Sequence, residues 1–335
     1  MGGDDTDPVE AADGEMDLYG ISTWEKRSFL DRLSAGIYWI TVRIGQAIVV
    51  LLALLILVTI GGLSVLTDPA IGLLTAVSVL PALALAGYIW RSDVTTSEPL
   101  SLLAITFLLA VLTAGFAAVL NGVLQPAFSA LGFLGTVLFF YLVVGPVEET
   151  VKLLAVRLYA YNDDRFAAVI DGVVYGAVAG LGFATIENAI YISRAVGEIG
   201  RISLGLDLIG IGGDITATRA LAGPGHVVYS SFAGYYLGLA KFNPGNRGPI
   251  VVKGLIIAAI IHATYNATVG IASGLIQSVT GLPEFASFFV YILLYVGFFG
   301  FLLYRKIKRY RDAYLAAHAS ENGTDEDRVL ETGSN

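Results

Sequence analysis

Residues 129–157 of the chain read SALGFLGTVLFFYLVVGPVEETVKLLAVR, a stretch long and apolar enough to cross a lipid bilayer. Its second half nevertheless carries Glu148, Glu149 and Lys152. An ionised side chain at the centre of a bilayer costs about 2.5–3.5 kcal/mol even on a lenient insertion scale. Such groups persist when they pair, face a wet cavity or take part in chemistry. The stretch therefore predicts a membrane helix with a polar function.

The composition extends this prediction to the whole chain. Of its 335 residues, 56% are hydrophobic and only 14% are charged, whereas about a quarter are charged in a typical soluble protein. The absence of cysteine excludes disulfides, thiolate metal sites and a cysteine nucleophile. We predict an all-α, polytopic membrane bundle of about eight transmembrane helices. The charge-poor stretches that predict them are 44–66, 71–90, 102–124, 129–157, 167–193, 215–240, 250–273 and 284–304.

Basic residues indicate the orientation of the chain and divide it into three regions. They precede the first span, fill alternate loops and follow the last span, which predicts a multi-pass protein of the cell membrane with both termini in the cytoplasm. Residues 1–40 are expected to form an acidic tail with an interfacial helix around Trp24–Leu33. Residues 41–304 form the transmembrane domain, and residues 305–335 a basic and then acidic cytoplasmic tail. Both acidic ends lack apolar periodicity and are expected to be disordered.

The two glutamates follow Gly145-Pro146, which should interrupt the fourth span because proline lacks the amide hydrogen that the helix needs. A new helix can then begin near Glu148. Lys152 lies four residues after Glu148 and three after Glu149, so it can neutralise one carboxylate and not both. The second carboxylate is left to bind a metal, another cation, a proton or a water molecule.

Further polar residues lie in three other predicted spans. Glu187 follows a stripe of small residues at four-residue spacing, typical of closely packed membrane helices. His226 follows Gly223-Pro224-Gly225, a breaker that can open the backbone toward a cavity. His262 precedes Asn266 by one helical turn. At ~1.5 Å per residue the histidines fall near mid-membrane and Glu187 nearer the outer face. The stripe consists of Gly172, Gly176, Gly180 and Ala184.

These residue types suit hydrolysis of an amide bond inside the membrane. Carboxylates can act as general bases toward water. Histidines together with a carboxylate can hold a divalent metal that lowers the pKa of bound water to about 7. His262, Asn266 or Lys152 could stabilise an oxyanion. The alternative is a proton- or cation-coupled transporter that uses the same groups as a relay, although the chain lacks the repeated halves that would support it.

Four motifs together resemble the PrsW family of intramembrane proteases, distant relatives of the type II CAAX prenyl endopeptidases. They are Glu148-Glu149-xx-Lys152, Phe183-xxx-Glu187-Asn188, His226 and His262-xxx-Asn266, in this order within about residues 130–270. The resemblance implies an intramembrane endopeptidase, formed by residues 41–304, that cuts a single-pass membrane protein such as an anti-sigma factor. The implied partners are this substrate and the lipid bilayer, and no nucleic acid.

The resemblance also assigns roles to residues. It implies catalytic roles for Glu148, Glu149, Lys152 and Asn266, with Asn266 assisting the oxyanion. The implied metal is a single divalent ion, with zinc as the preferred candidate. A metal-free mechanism with glutamate-activated water remains an alternative. The residues implied to hold the metal are Glu149, Glu187, His226 and His262.

Overall fold

The computed structural model describes residues 17–20, 22–95, 98–199 and 211–332 of the chain. These residues are almost entirely helical and contain no β-strand, only an isolated bridge between Tyr19 and Thr23. The chain divides into two compact units, residues 1–55 and residues 56–335. The expected disorder of residues 1–16 lies outside the described residues.

Nine helices longer than a single turn account for the described chain. They are α1 (Phe29–Thr59), α2 (Pro69–Arg91), α3 (Leu100–Ser129), α4 (Gly132–Phe139), α5 (Gly145–Leu158), α6 (Val169–Ile199), α7 (Ile211–Lys241), α8 (Arg247–Thr280) and α9 (Glu284–Thr332). The turn Ser64–Thr67 is also helical, Ala160–Asn162 and Pro244–Asn246 form 3₁₀ turns, and Phe140–Val144 is a π-helical turn.

Within the described residues, six helices are long and apolar enough to cross a membrane, which confirms the polytopic bundle. They are Phe29–Thr59, Pro69–Arg91, Leu100–Ser129, Val169–Glu198, Pro244–Thr280 and Glu284–Ala317. The other two predicted spans are helical too, but 129–157 is divided among α4, the π turn and α5, and 215–240 belongs to the more polar α7.

Three local expectations are corrected by the structure. No separate interfacial helix forms around Trp24–Leu33, because α1 runs unbroken from Phe29 and contains no proline. Residues 211–214, which lie before the predicted span 215–240, form the start of α7. This helix continues through Pro224, as neighbouring helices permit in membrane bundles. The acidic C-terminal end, expected to be disordered, continues α9 as helix to Thr332.

Helix α6 is the most enclosed of the candidate spans, because 94% of the residues in its apolar 18-residue stretch are buried. It packs most extensively on α7, and also on α2 and α3. The glycine stripe makes the contact with α7 possible. A Cβ added at Gly176 would lie 2.4 Å from the carbonyl oxygen of Ser230, and one added at Gly180 would lie 2.3 Å from that of His226. The predicted role of these glycines in close packing is thus confirmed.

The interruption expected at Gly145-Pro146 takes the form of a widened helical turn. The π turn Phe140–Val144 leads directly into α5, with Pro146 in its first turn, where proline is tolerated. A Cβ at Gly145 would lie 2.6 Å from the carbonyl oxygen of Ala259, so α5 begins against the backbone of α8. This contact brings Glu148 and Glu149 next to the histidine of α8.

Candidate active site

The polar residues predicted from four separate segments meet in one cluster. Glu148 and Glu149 come from α5, Glu187 from α6, His226 from α7 and His262 from α8. All belong to the unit that begins at residue 56. Glu149 is fully buried and Glu148 is 5% exposed, so this cluster lies in the interior of the bundle.

Glu149 is held by three side chains. Its Oε1 accepts a hydrogen bond of 2.7 Å from Lys152 Nζ and lies 2.9 Å from His262 Nδ1. Its Oε2 accepts a 3.2 Å bond from the hydroxyl of Ser230. A buried carboxylate needs such partners. Both oxygens of Glu149 are therefore already engaged within the protein.

Glu148 differs because one of its oxygens is free. Oε1 accepts a 3.0 Å hydrogen bond from Asn121 Nδ2 on α3. Oε2 is buried without a hydrogen-bond partner in the described structure, 3.7 Å from His262 Nε2 and 4.0 Å from Lys152 Nζ. An unpartnered carboxylate oxygen in a buried site is available for water or for a cation.

The ring of His262 lies between the two glutamates. A carboxylate can only accept, so Nδ1–H donates to Glu149 and the lone pair of Nε2 remains free on the side of Glu148. The ring of Tyr229 stacks on this imidazole, with the centroids 5.2 Å apart and an angle of 26° between the planes. Glu149 thus sets the tautomer of His262, as second-layer carboxylates do for metal-binding or catalytic histidines.

His226 is bound at both ring nitrogens. Nδ1 lies 2.9 Å from Lys152 Nζ, and Nε2 lies 2.9 Å from Glu187 Oε2. An ammonium group can only donate, so Nδ1 accepts and Nε2–H donates to Glu187. The two imidazoles are neighbours, with their centroids 5.2 Å apart. Lys152 is thus the cation shared by Glu149 and His226, and it also lies 4.3 Å from the centre of the Phe183 ring.

Glu187 is anchored by Arg219 of α7, a residue that the sequence analysis did not single out. Arg219 Nη2 donates a 2.5 Å bond to Glu187 Oε2, and its Nε donates a 2.8 Å bond to Asn188 Oδ1. The same guanidinium lies 4.4 Å from the centre of the Tyr191 ring. A single arginine thus donates hydrogen bonds to both members of the consecutive pair Glu187-Asn188.

A cavity of about 540 Å³ opens beside these groups. Glu148, Glu187, His226 and His262 line one side, and Asn266 lines it as well. Asn266 makes no side-chain hydrogen bond in the described structure, so its amide is free to meet a molecule in the cavity. Apolar side chains form other walls, among them Phe139, Val144, Phe183 and Ile186.

The donor set fits a metal ion with Glu148 as its carboxylate, whereas the prediction named the two carboxylates Glu149 and Glu187. One ligand atom each from Glu148, His226 and His262 lies within 4.8 Å of the others. The prediction named Glu149 and Glu187 with these histidines. Glu149 instead supports His262 and Lys152 from behind, and Glu187 is paired with Arg219. To bind an ion, His226 would have to give up one of its two present partners.

Sequence reasoning missed three residues of this site. Asn121, Arg219 and Ser230 each contact a glutamate of the cluster. An isolated amide in the otherwise apolar span 102–124 was a usable signal for Asn121. The positions of Arg219 and Ser230 relative to Glu187 and Glu149 depend on how α7 packs against α5 and α6, which no local pattern reports.

The fold and the site define the class: a polytopic membrane protein with a buried carboxylate and imidazole centre beside a cavity, as hydrolysis inside a bilayer requires. The sequence model of the PrsW family of intramembrane metalloproteases matches residues 98–300, more than half of the chain. The chain belongs to this family and is an intramembrane protease, which decides against the transporter alternative.

Curated relatives agree with this family. A protein named Protease PrsW from Halalkalibacterium halodurans is 32% identical over 197 residues, which cover 58% of this chain and 82% of the relative. Proteins of the same name from Geobacillus kaustophilus and Bacillus subtilis are 29% and 28% identical. Those matches cover 58% and 56% of this chain, and 78% of each relative. No solved structure matches the chain.

Proposed function

We propose that the chain hydrolyses a peptide bond of a single-pass membrane protein with a water molecule activated between Glu148 and His262. The observation that carries this proposal is the pair of free atoms at one end of the cavity. Glu148 Oε2 has no partner, and His262 Nε2 lies 3.7 Å from it. A water molecule in reach of both can pass a proton to the carboxylate as it attacks the carbonyl carbon.

The surrounding residues support this role in distinct ways. Glu149 holds His262 in the tautomer that leaves Nε2 free. Lys152 offsets the negative charge of the glutamates from a fully buried position. Asn266 faces the cavity and is the candidate donor to the developing oxyanion. The protonated Glu148 can then return its proton to the leaving amine.

We further propose that Glu148, His226 and His262 hold one divalent ion, with zinc as the preferred candidate. When bound, it would lower the pKa of a water molecule and polarise the substrate carbonyl. In that case Glu149 acts as the second-layer carboxylate of His262. Both routes require Glu148 and His262. They would be ligands of the ion in the metal route, and they activate the water molecule in the metal-free route.

The proposed substrate is an anti-sigma-factor-like protein with one membrane segment, cut in the cell membrane by a protease whose termini both lie in the cytoplasm. The resemblance of the four motifs supports the substrate class, and the alternation of basic residues supports the orientation.

Two substitutions test the mechanism. Glu148→Gln and His262→Ala should each lower the cleavage of a co-expressed single-pass reporter by a factor of at least about 100, the lower range for loss of a general base or its partner. Thr150→Val is the matched control, because Thr150 lies in the same turn of α5, is exposed and bonds only the carbonyl of Pro146. Normal cleavage by both site variants would refute the mechanism.

Metal content distinguishes the two versions. Purified protein should contain about one bound zinc per chain by mass spectrometry, and the His262→Ala protein should contain less. If chelation removes all metal and the reporter is still cleaved at the original rate, the metal-free route is correct.

A further inference from the structure

A second cluster of carboxyl groups lies far from the candidate active site. Asp93 and Glu98 follow α2, and Asp171 lies in the first turn of α6. One oxygen atom from each lies within 4.8 Å of the others. Asp171 is 16 residues before Glu187 on the same helix, a separation of roughly 24 Å along its axis. The two clusters are therefore independent.

Some oxygens of this cluster have a structural explanation. Asp171 Oδ2 accepts hydrogen bonds of 2.7 Å from the amide of Ala167 and 2.9 Å from that of Ala168, as residues at helix starts often do. The hydroxyl of Thr95 lies 2.8 Å from Asp93 Oδ1 and 3.4 Å from Asp171 Oδ1. These contacts order the cluster but do not neutralise it.

Glu98 has no such explanation. It is only 2% exposed, yet among the described residues neither of its carboxyl oxygens has a hydrogen-bond partner, and Asp93 Oδ2 also lacks one. Within the described part of the chain, no lysine, arginine or histidine forms an ion pair with any of the three acids. A positive partner is missing from the protein's own side chains.

We propose that Asp93, Glu98 and Asp171 bind one hard divalent cation, Mg²⁺ or Ca²⁺, with the hydroxyl of Thr95 as a further oxygen donor. The donors are all oxygen atoms, which such cations prefer over the nitrogen-containing set at His226 and His262. The ion joins the segment that follows α2 to the first turn of α6. Since α6 carries the glycine stripe and Glu187, the ion stabilises the central helix of the protease.

Cation binding is measured first on the complete protein, purified in detergent and freed of metal with EDTA. Calorimetric titration with Mg²⁺ and, separately, with Ca²⁺ should reveal one site for at least one of the two ions. At a concentration about 100 times the dissociation constant, the ion should raise the Tm by about 5 °C. His262→Ala should show the same binding, because it alters only the other centre. Absence of binding by both ions at millimolar concentration overturns the proposal.

The variant Glu98→Gln keeps the shape of the side chain and removes its charge. It should lose the heat of binding and the rise in Tm. Asp164→Asn is the control, because Asp164 is exposed on the loop before α6 and should leave both unchanged. A Glu98→Gln protein with an undiminished Tm shift refutes the site. A wild-type Tm that changes with neither EDTA nor added cation also refutes the site. This result is expected if Glu98 and Asp93 share a proton instead of a metal ion. If Glu98→Gln does not fold, the wild-type titration decides alone.

Discussion

Lys152 is the residue on which the charge of the active-site cluster depends. It is fully buried, donates to Glu149 and lies 2.9 Å from His226 Nδ1. Three glutamates and two histidines share this region with Lys152 and Arg219 as the permanent cations. Removal of one partner from a buried ion pair is costly because the remaining charge is left without compensation.

We therefore expect Lys152→Met to lower the free energy of unfolding by about 3–5 kcal/mol. The double variant Lys152→Met/Glu149→Gln should lose less than the sum of the two single variants, since it leaves no unpaired charge. Denaturant unfolding of the purified protein provides the values. Lys253→Met, at an exposed position of α8, should change stability by no more than about 0.5 kcal/mol. Strict additivity of the two site substitutions would contradict the pairing.

At the scale of elements, the contact between α6 and α7 sets the geometry of the site. The two helices approach so closely that their backbones touch at Gly172, Gly176 and Gly180. His226 on α7 and Glu187 on α6 meet across the same contact. A change in the distance between these helices therefore acts directly on the hydrogen bond between the two residues.

Gly180→Ala should separate the two helices, because its new Cβ would lie 2.3 Å from the carbonyl oxygen of His226, a backbone atom that cannot turn aside. We expect a loss of about 1–3 kcal/mol in stability from overpacking, together with reduced cleavage of the reporter. Gly197→Ala is the matched control on the same helix, where no atom lies within 4 Å of the added Cβ. It should be neutral or stabilising by up to about 1 kcal/mol. Equal behaviour of both variants would rule out the close contact.

At the scale of the whole molecule, the orientation in the membrane is open to a direct test. Within the described residues, six helices meet the criteria for spans. The proposed orientation, based on the basic residues, puts the turn at Pro244–Asn246 and the C-terminal end in the cytoplasm. The link between α8 and α9 around Leu282 then lies on the opposite side.

The chain has no cysteine, so single introduced thiols can be labelled without background. We expect Leu282→Cys to react with a membrane-impermeant maleimide in intact cells. Asn246→Cys should react only after permeabilisation, because both positions are exposed and the proposed orientation assigns them to opposite sides of the membrane. The reversed pattern would invert the orientation, and reaction of both sites in intact cells would remove one predicted crossing.

The sequence by itself determined the all-α membrane architecture, because continuous apolar stretches of about 20 residues satisfy their backbone hydrogen bonds in lipid as helices. It also predicted which residues carry the chemistry, since Glu148, Glu187, His226 and His262 are costly in their spans unless they have partners. The helix count was less certain, because Pro224 and the π turn before Pro146 alter two spans without ending their helices.

Only the tertiary structure decided which partner each of these residues contacts. Counting along the helices placed Glu187 nearer the outer face than the histidines, yet the packing of α6 on α7 brings it within 2.9 Å of His226. The sequence-based prediction gave catalytic roles to both Glu148 and Glu149 and named only Glu149 among the metal-holding residues. The structure separates them, because successive positions on a helix point about 100° apart. Glu149 thus faces Lys152 and Ser230, while Glu148 keeps one oxygen free.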